Sequence, residues 1–177
     1  MSKYFAGIGS RNTPSPILEL MARITEELCA QGYILRSGGA KGADTAFQNG
    51  APEDQMEIYL DEMHPKKQCT DGWYNVRYLD NLDDAIDLAE DHHPAWNRLG
   101  KKAKALITRN TYQVLGMDLN TPSEFVICWT PDGSEGTTTR ETGGTGQAIR
   151  IAKKRGIKVL NLANQSTLDY VKVWLGL

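Results

Sequence analysis

The sequence is poor in the features that mark whole classes of protein. Its 177 residues include three cysteines, Cys29, Cys69 and Cys128. They are odd in number, far apart, and form no C-x-x-C pair, which argues against a disulfide framework or a zinc site. Cys29 and Cys128 sit in apolar surroundings and read as small core residues. A reducing cytoplasm is the expected compartment. No run of about 18 apolar residues occurs, so no membrane partner is expected. The start, "MSKYFAGIGS", lacks the apolar core of a signal peptide. Basic charge is not in excess, since 20 Lys and Arg stand against 22 Asp and Glu, a net charge of −2. A general nucleic-acid coat protein is usually basic, so any phosphate binding here must be local. Neither internal repeats nor low-complexity segments are present. "EDHH" (Glu90 to His93) offers metal-ligand residue types, but adjacent residues on a helix face different ways. No metal and no cofactor is expected.

What remains is an ordinary globular mix, 40% hydrophobic and 24% charged. The length suits one domain over residues 1–177 with a sizeable core. "KYFAGIG" predicts a strand over Lys3 to Ile8. In "NTPSPILELMARITEELCAQG", Ile17, Leu20, Met21, Ile24 and Leu28 fall at helical spacing. Asn12, Thr13 or Ser15 is expected to cap that helix, and Gly32 to close it. "YILRS" is a second strand, "GADTAFQNGA" a short helix and "QMEIYLD" a third strand. "EMHPKKQCTDGWYNVRYLDN" has no clean period and reads as a long loop. "NLDDAIDLAEDHHPAWNRLGKKAKALITRNTYQVLG" reads as helical, broken near Pro94. "SEFVICWT" is a strong apolar strand. "GGTGQAIRIAKKRG" is a glycine loop and helix, "IKVLNLA" a fifth strand, and "STLDYVKVWLG" a last helix opened by Ser166 or Thr167. Thr130 to Gly144 reads as a flexible insertion. Strands alternating with helices predict an α/β, Rossmann-like, three-layer fold with a mostly parallel sheet of five or more strands.

Ligands of such sheets bind beyond the carboxyl ends of the strands. Four segments fall there: "GIGSRN", "RSGGAKGAD", "CWTPDG" and "ETGGTGQ". Gly38, Gly39 and Gly42 allow close backbone approach and positive φ. Gly143, Gly144 and Gly146 do the same at a second helix start, with Thr145 adding a hydroxyl. Arg11, Arg36 and Lys41 can supply charge to a phosphate. A glycine-rich βα corner also serves turn geometry alone, and Asp44 at a helix start stabilises the dipole with or without a ligand. Neither loop is a Walker A motif, and "GIGSRN" has Asn12 where the dinucleotide fingerprint wants its third glycine. Arg109 and Gln113 lie four apart on one helical face beside Asn110. They read either as a solvated face or as contacts to a base. Trp129 either stacks on a base or caps the core.

"GSR" at Gly9–Arg11, "SGGAKGAD" at Ser37–Asp44 and "GGTGQA" at Gly143–Ala148 resemble the SLOG superfamily. The first two are similar to the DNA-processing protein A (DprA/Smf) branch, with Gly9, Ser10, Arg11, Ser37, Gly38, Ala40, Gly42 and Asp44 matching its turns. The third resembles the P-G-G-x-G-T-x-x-E loop of the lysine-decarboxylase-like LOG enzymes. The resemblance implies a Rossmann-like domain of small bacterial or phage type that binds a nucleotide or nucleotide-derived molecule. Sensing or sequestering is the role it implies. Cleavage of a nucleoside monophosphate by a LOG-like phosphoribohydrolase and DprA-like binding of single-stranded DNA are its alternatives. A homodimer is implied as well. The LOG pattern departs at its catalytic Glu, where Arg150 stands. Asp44 and Glu141 are therefore the only candidates for a catalytic carboxylate. Glu141 and the Glu62–Asn81 loop are the candidate lids.

Overall fold

A computed structural model describes residues 2–66 and 69–177. Its strands are β1 (Lys3–Gly7), β2 (Tyr33–Ser37), β3 (Met56–Leu60), β4 (Trp73–Asn75), β5 (Phe125–Cys128) and β6 (Lys158–Asn161). Its helices are α1 (Ser15–Ala30), α2 (Ala43–Asn49), α3 (Leu82–His92), α4 (Lys101–Leu115), α5 (Thr145–Lys154) and α6 (Gln165–Leu175). The six strands form one sheet in the order β4-β3-β2-β1-β5-β6. Every neighbouring pair is parallel, with Phe5 in register with both Leu35 and Phe125. The chain steps outward from β1 to β4, then returns to the other side of β1. That reversal opens a crevice beyond the carboxyl ends of β1 and β5.

Strand alternation divides the core between two faces. Phe5, Leu35, Ile58, Ile127 and Leu160 meet α1, α2 and α6. Ala6, Val126, Cys128 and Val159 meet α4 and α5. Tyr59 stacks on Tyr112 at 5.6 Å in a third cluster with Val76 and Ala85. Strand β5 is buried along its whole length, as expected of a strand covered on both sides. The three-layer α/β architecture is the one the sequence pattern predicts. Among the described residues no helix is long and apolar enough to cross a membrane.

Four local expectations differ. The segment expected to be a long loop contains β4, paired Ile58 to Trp73 and Leu60 to Asn75. Three residues are too few to show a period, and β3 supplies their pairing. Residues 67 and 68 of that segment lie outside the described residues. Helix α1 starts after Pro14 with no side-chain cap. The Thr13 hydroxyl donates to the Ser10 carbonyl instead, at 2.7 Å. Helix α6 starts after Asn164, whose amide donates to the Gly133 carbonyl, while the Thr167 hydroxyl donates to Glu135. The stretch Thr130 to Gly144 is laced together. Asp132 accepts from the hydroxyls of Thr130, Thr139 and Thr142 and from the Ser134 amide.

Candidate functional site

The crevice is a cleft of about 430 Å³. Ile8 to Asn12 enter it from the turn after β1, and Ala40 and Asp44 from the turn after β2. Leu106, Ile107, Arg109 and Asn110 enter from α4, Pro131 and Glu141 to Gly144 from the segment before α5, and Thr145 from the first position of α5. The turn after β1 is tied to β5, since the Ser10 amide donates to the Trp129 carbonyl at 3.1 Å. The volume falls within the range of small-molecule sites.

The floor is polar and buried. Asp44 is 2% exposed, Arg109 8% and Asn110 3%. Oδ2 of Asp44 accepts from the Ala40 amide at 3.3 Å and lies 3.9 Å from the Arg109 guanidinium. Arg109 also donates to the Gly38 carbonyl at 2.6 Å. Burial pushes the Asp44 carboxyl above its ordinary pKa. Arg109 and then the amides of Ala40, Gly38 and Gly9 oppose this without cancelling it, and only the Ala40 amide makes a hydrogen bond.

The first glycine loop therefore has an internal task. A Cβ on Gly38 would stand 2.5 Å from Cζ of Arg109 and 2.8 Å from Oδ2 of Asp44. A Cβ on Gly42 would stand 2.8 Å from Cα of Arg11, where the turns after β1 and β2 cross. Gly39 faces Leu60 and Trp73. The loop wraps Asp44 and admits Arg109 from α4.

The second glycine loop is different. A Cβ on Gly143 or Gly144 would meet nothing within 4 Å. The start of α5 is thus open at the cleft wall. The amides of Gly143, Gly146 and Gln147 donate to the carbonyls of Arg140, Gly143 and Gly144, which leaves the Gly144 and Thr145 amides and the helix dipole to favour an anion. Lys153 and Lys154 sit in the last turn of α5, where they suit the opposite end of the dipole. Asn110 anchors this wall by donating from Nδ2 to the Gly144 carbonyl at 2.9 Å. Arg11 lies exposed at the rim, and Glu141 lies exposed beside the glycines.

Of the residues expected at the site, Gly9, Ser10, Arg11, Ala40, Asp44, Arg109, Asn110, Glu141, Gly143, Gly144 and Thr145 line this one cleft. The others do not. Arg36 points to the α4 side of the sheet, where it pairs with Glu57 at 2.8 Å and donates to the Thr121 carbonyl at 2.6 Å. It also lies over the Tyr4 ring at 3.7 Å. The Ser37 hydroxyl is buried and donates to the Gly7 carbonyl. Gln113 is wholly buried, one turn beyond Arg109. Trp129 packs against the core under α1, α2 and α6 and does not line the cleft; its carbonyl holds the turn after β1. Lys41 and Gly42 line a shallow groove between α1 and α2. Gly146 lies against Arg150 and Thr142. No described residue of the Glu62–Asn81 segment lines the cleft.

Arg150, at the place of the LOG Glu, donates to the His92 carbonyl, the Thr138 hydroxyl and Oε1 of Gln147. It ties α5 to α3 and brings no charge to the cleft. Sequence reasoning missed Leu106 and Ile107 as lining, because apolar residues carry no chemical signature, whereas Pro131 falls in the "CWTPDG" segment expected at this edge. Asp132, inside the same segment, does not line the cleft and instead braces the loop before α5.

No family model and no curated protein matches this chain. Among solved structures it is similar to DNA processing protein A from Helicobacter pylori, described as having a unique single-stranded DNA binding mode. The sequence identity is 14% and the TM-score 0.41, over 98% of this chain and 80% of that one. At that level the fold assignment stands on the parallel sheet itself.

Proposed function

We propose that the cleft binds a nucleotide or nucleotide-derived molecule through its phosphate, as a sensing or sequestering module. The supporting observation is the start of α5, bare at Gly143 and Gly144, opening into a cleft at the point where the strand order reverses. Phosphate there accepts from the free backbone amides, and Arg11, exposed at the rim of the same cleft, supplies a cation. A helix start contributes about 0.3–1 kcal/mol towards an anion, up to about 2 in a partly buried setting. A charge-assisted hydrogen bond adds about 1.5–3 kcal/mol. Together these suit a site that binds and releases.

A thermal-shift screen against ribo- and deoxyribonucleoside 5′-monophosphates tests this reading. A ligand at 100 times its Kd adds about 2.7 kcal/mol of stability. For a chain of 177 residues each kcal/mol moves Tm by about 2–4 °C. The expected shift is therefore several degrees, and no shift across the panel refutes it. A single strand of DNA offers the same phosphate chemistry. Oligo-dT binding stronger than that of any mononucleotide, with steep loss in salt, replaces the mononucleotide reading with the strand.

A further inference from the structure

Eight side-chain atoms among the described residues are buried without a hydrogen-bond partner. Three of them are on side chains that line the cleft: Oδ1 of Asp44, Nε of Arg109 and Oδ1 of Asn110. Buried polar atoms left unpaired are costly and few in native proteins. Three on adjoining side chains in one cleft point to a ligand that completes them.

Their chemistry specifies that ligand. Asp44 uses Oδ2 for the Ala40 amide and for Arg109, which leaves Oδ1 as an acceptor. Asn110 spends Nδ2 on the Gly144 carbonyl, which fixes its amide orientation and leaves Oδ1 as a second acceptor. Arg109 directs its terminal nitrogens to Gly38 and Asp44, which leaves Nε–H as a donor. The floor asks for two donors and one acceptor. A phosphate dianion is acceptor only. It would satisfy Nε alone and set its charge against Asp44. A hydroxyl donates and accepts, so two hydroxyls supply the two donors and the one acceptor that these atoms lack.

We infer that the floor takes the vicinal 2′- and 3′-hydroxyls of a ribose, so that the ligand is a ribonucleotide. This rests on the phosphate reading of the same cleft, with the phosphate at α5 and the sugar against Asp44, Arg109 and Asn110. A nucleotide inside a DNA strand has neither hydroxyl free. It would leave both acceptors bare.

Isothermal titration of the unaltered protein tests the inference. The four ribonucleoside 5′-monophosphates are compared with their 2′-deoxy and 3′-deoxy counterparts and with the unphosphorylated ribonucleosides and 2′-deoxyribonucleosides. Loss of either hydroxyl should weaken binding about tenfold to a hundredfold, the effect of a hydrogen bond lost to a charged or buried group. Ribo and deoxy affinities within about twofold of one another overturn the inference and leave the phosphate reading standing. Ribonucleosides that bind as tightly as their nucleotides overturn the phosphate reading; the ribo-to-deoxy ratio of the nucleosides then decides the inference. No binding by any compound overturns both. In Asp44→Asn the ribo-to-deoxy ratio should fall, with deoxynucleotide affinity little changed. The series on the unaltered protein decides the matter even if that variant fails to fold.

Discussion

Gly38→Ala asks whether the first glycine loop exists to admit Arg109. Its added Cβ would sit 2.5 Å from Cζ and 2.6 Å from a terminal nitrogen of Arg109. The guanidinium must move, and its bond to the Gly38 carbonyl is lost or lengthened. That bond is charge-assisted and contributes about 1.5–3 kcal/mol. Asp44 then loses its buried cation, a change that costs about 3–5 kcal/mol when complete. It is incomplete here, because the pair is already 3.9 Å apart and the Ala40 amide stays. The alanine recovers about 0.4–1 kcal/mol by restricting the unfolded chain. The net expectation is a loss of about 2–3 kcal/mol, or roughly 5–10 °C in Tm at this chain length. Urea denaturation and calorimetry at neutral pH measure it. A Gly38→Ala protein within about 0.5 kcal/mol of the parent, the scatter of ordinary surface substitutions, refutes the reasoning. Gly144→Ala is the control. Its Cβ meets nothing and its φ of −62° is ordinary, so its stability should change by less than about 1 kcal/mol.

Other outcomes follow from the same geometry. Gly144→Ala should weaken mononucleotide binding several-fold in titration, because its methyl takes up space that is empty beside the start of α5 and that the phosphate would occupy. Arg36→Ala should cost about 3 kcal/mol by leaving Glu57 half-buried without its cation, yet leave nucleotide affinity unchanged. Gly50→Ala should destabilise by more than about 2 kcal/mol in urea, since its Cβ would lie 2.0 Å from the Ala22 carbonyl, a backbone contact between α1 and α2. Burial raises the Asp132 carboxyl pKa, but hydrogen bonds from Thr142, Thr139, Thr130 and Ser134 outweigh it, and the net shift is downward. Its stabilisation is therefore full above the unfolded carboxylate value near 3.9 and is lost as pH falls through the lower folded value. Asp132→Ala should cost about 1–2 kcal/mol at pH 7 and flatten the acid limb of the stability curve. An unchanged acid limb refutes that account. Adenosine 5′-monophosphate incubated with the protein should be recovered without free adenine. Asp44 is held by Arg109 and Ala40, and Arg150 is turned to His92, Thr138 and Gln147. Free base detected by chromatography would assign cleavage to Asp44 or Glu141 instead.

The alternation of apolar strands and amphipathic helices was enough to predict the layered α/β fold. Five of the six strands carry that pattern on their own. The sixth, β4, does not, because three residues borrow their conformation from the pairing with β3. The turns after β1 and β2 and before α5 were legible as glycine punctuation at strand ends. Their convergence on one cleft follows from the reversal of strand order, which is a property of the sheet.

The task of each glycine and each cation was not legible. Gly38 serves Arg109, which lies 71 residues further along the chain, while Gly144 serves open space. The two look alike in sequence because a missing Cβ says nothing of what would have met it. Arg36 and Arg11 are both arginines at strand ends. Strand parity sends Arg36 to the α4 face and Glu57, while Arg11 sits past the strand in a turn and stays at the rim. The sequence by itself determined the elements, their order and the glycine turns, since these depend on local periodicity and backbone preference. Tertiary structure alone decided that Asp44, Arg109 and Asn110 form a buried floor with spare hydrogen-bonding atoms. Burial and pairing are set by neighbours that the fold, not the chain order, brings together.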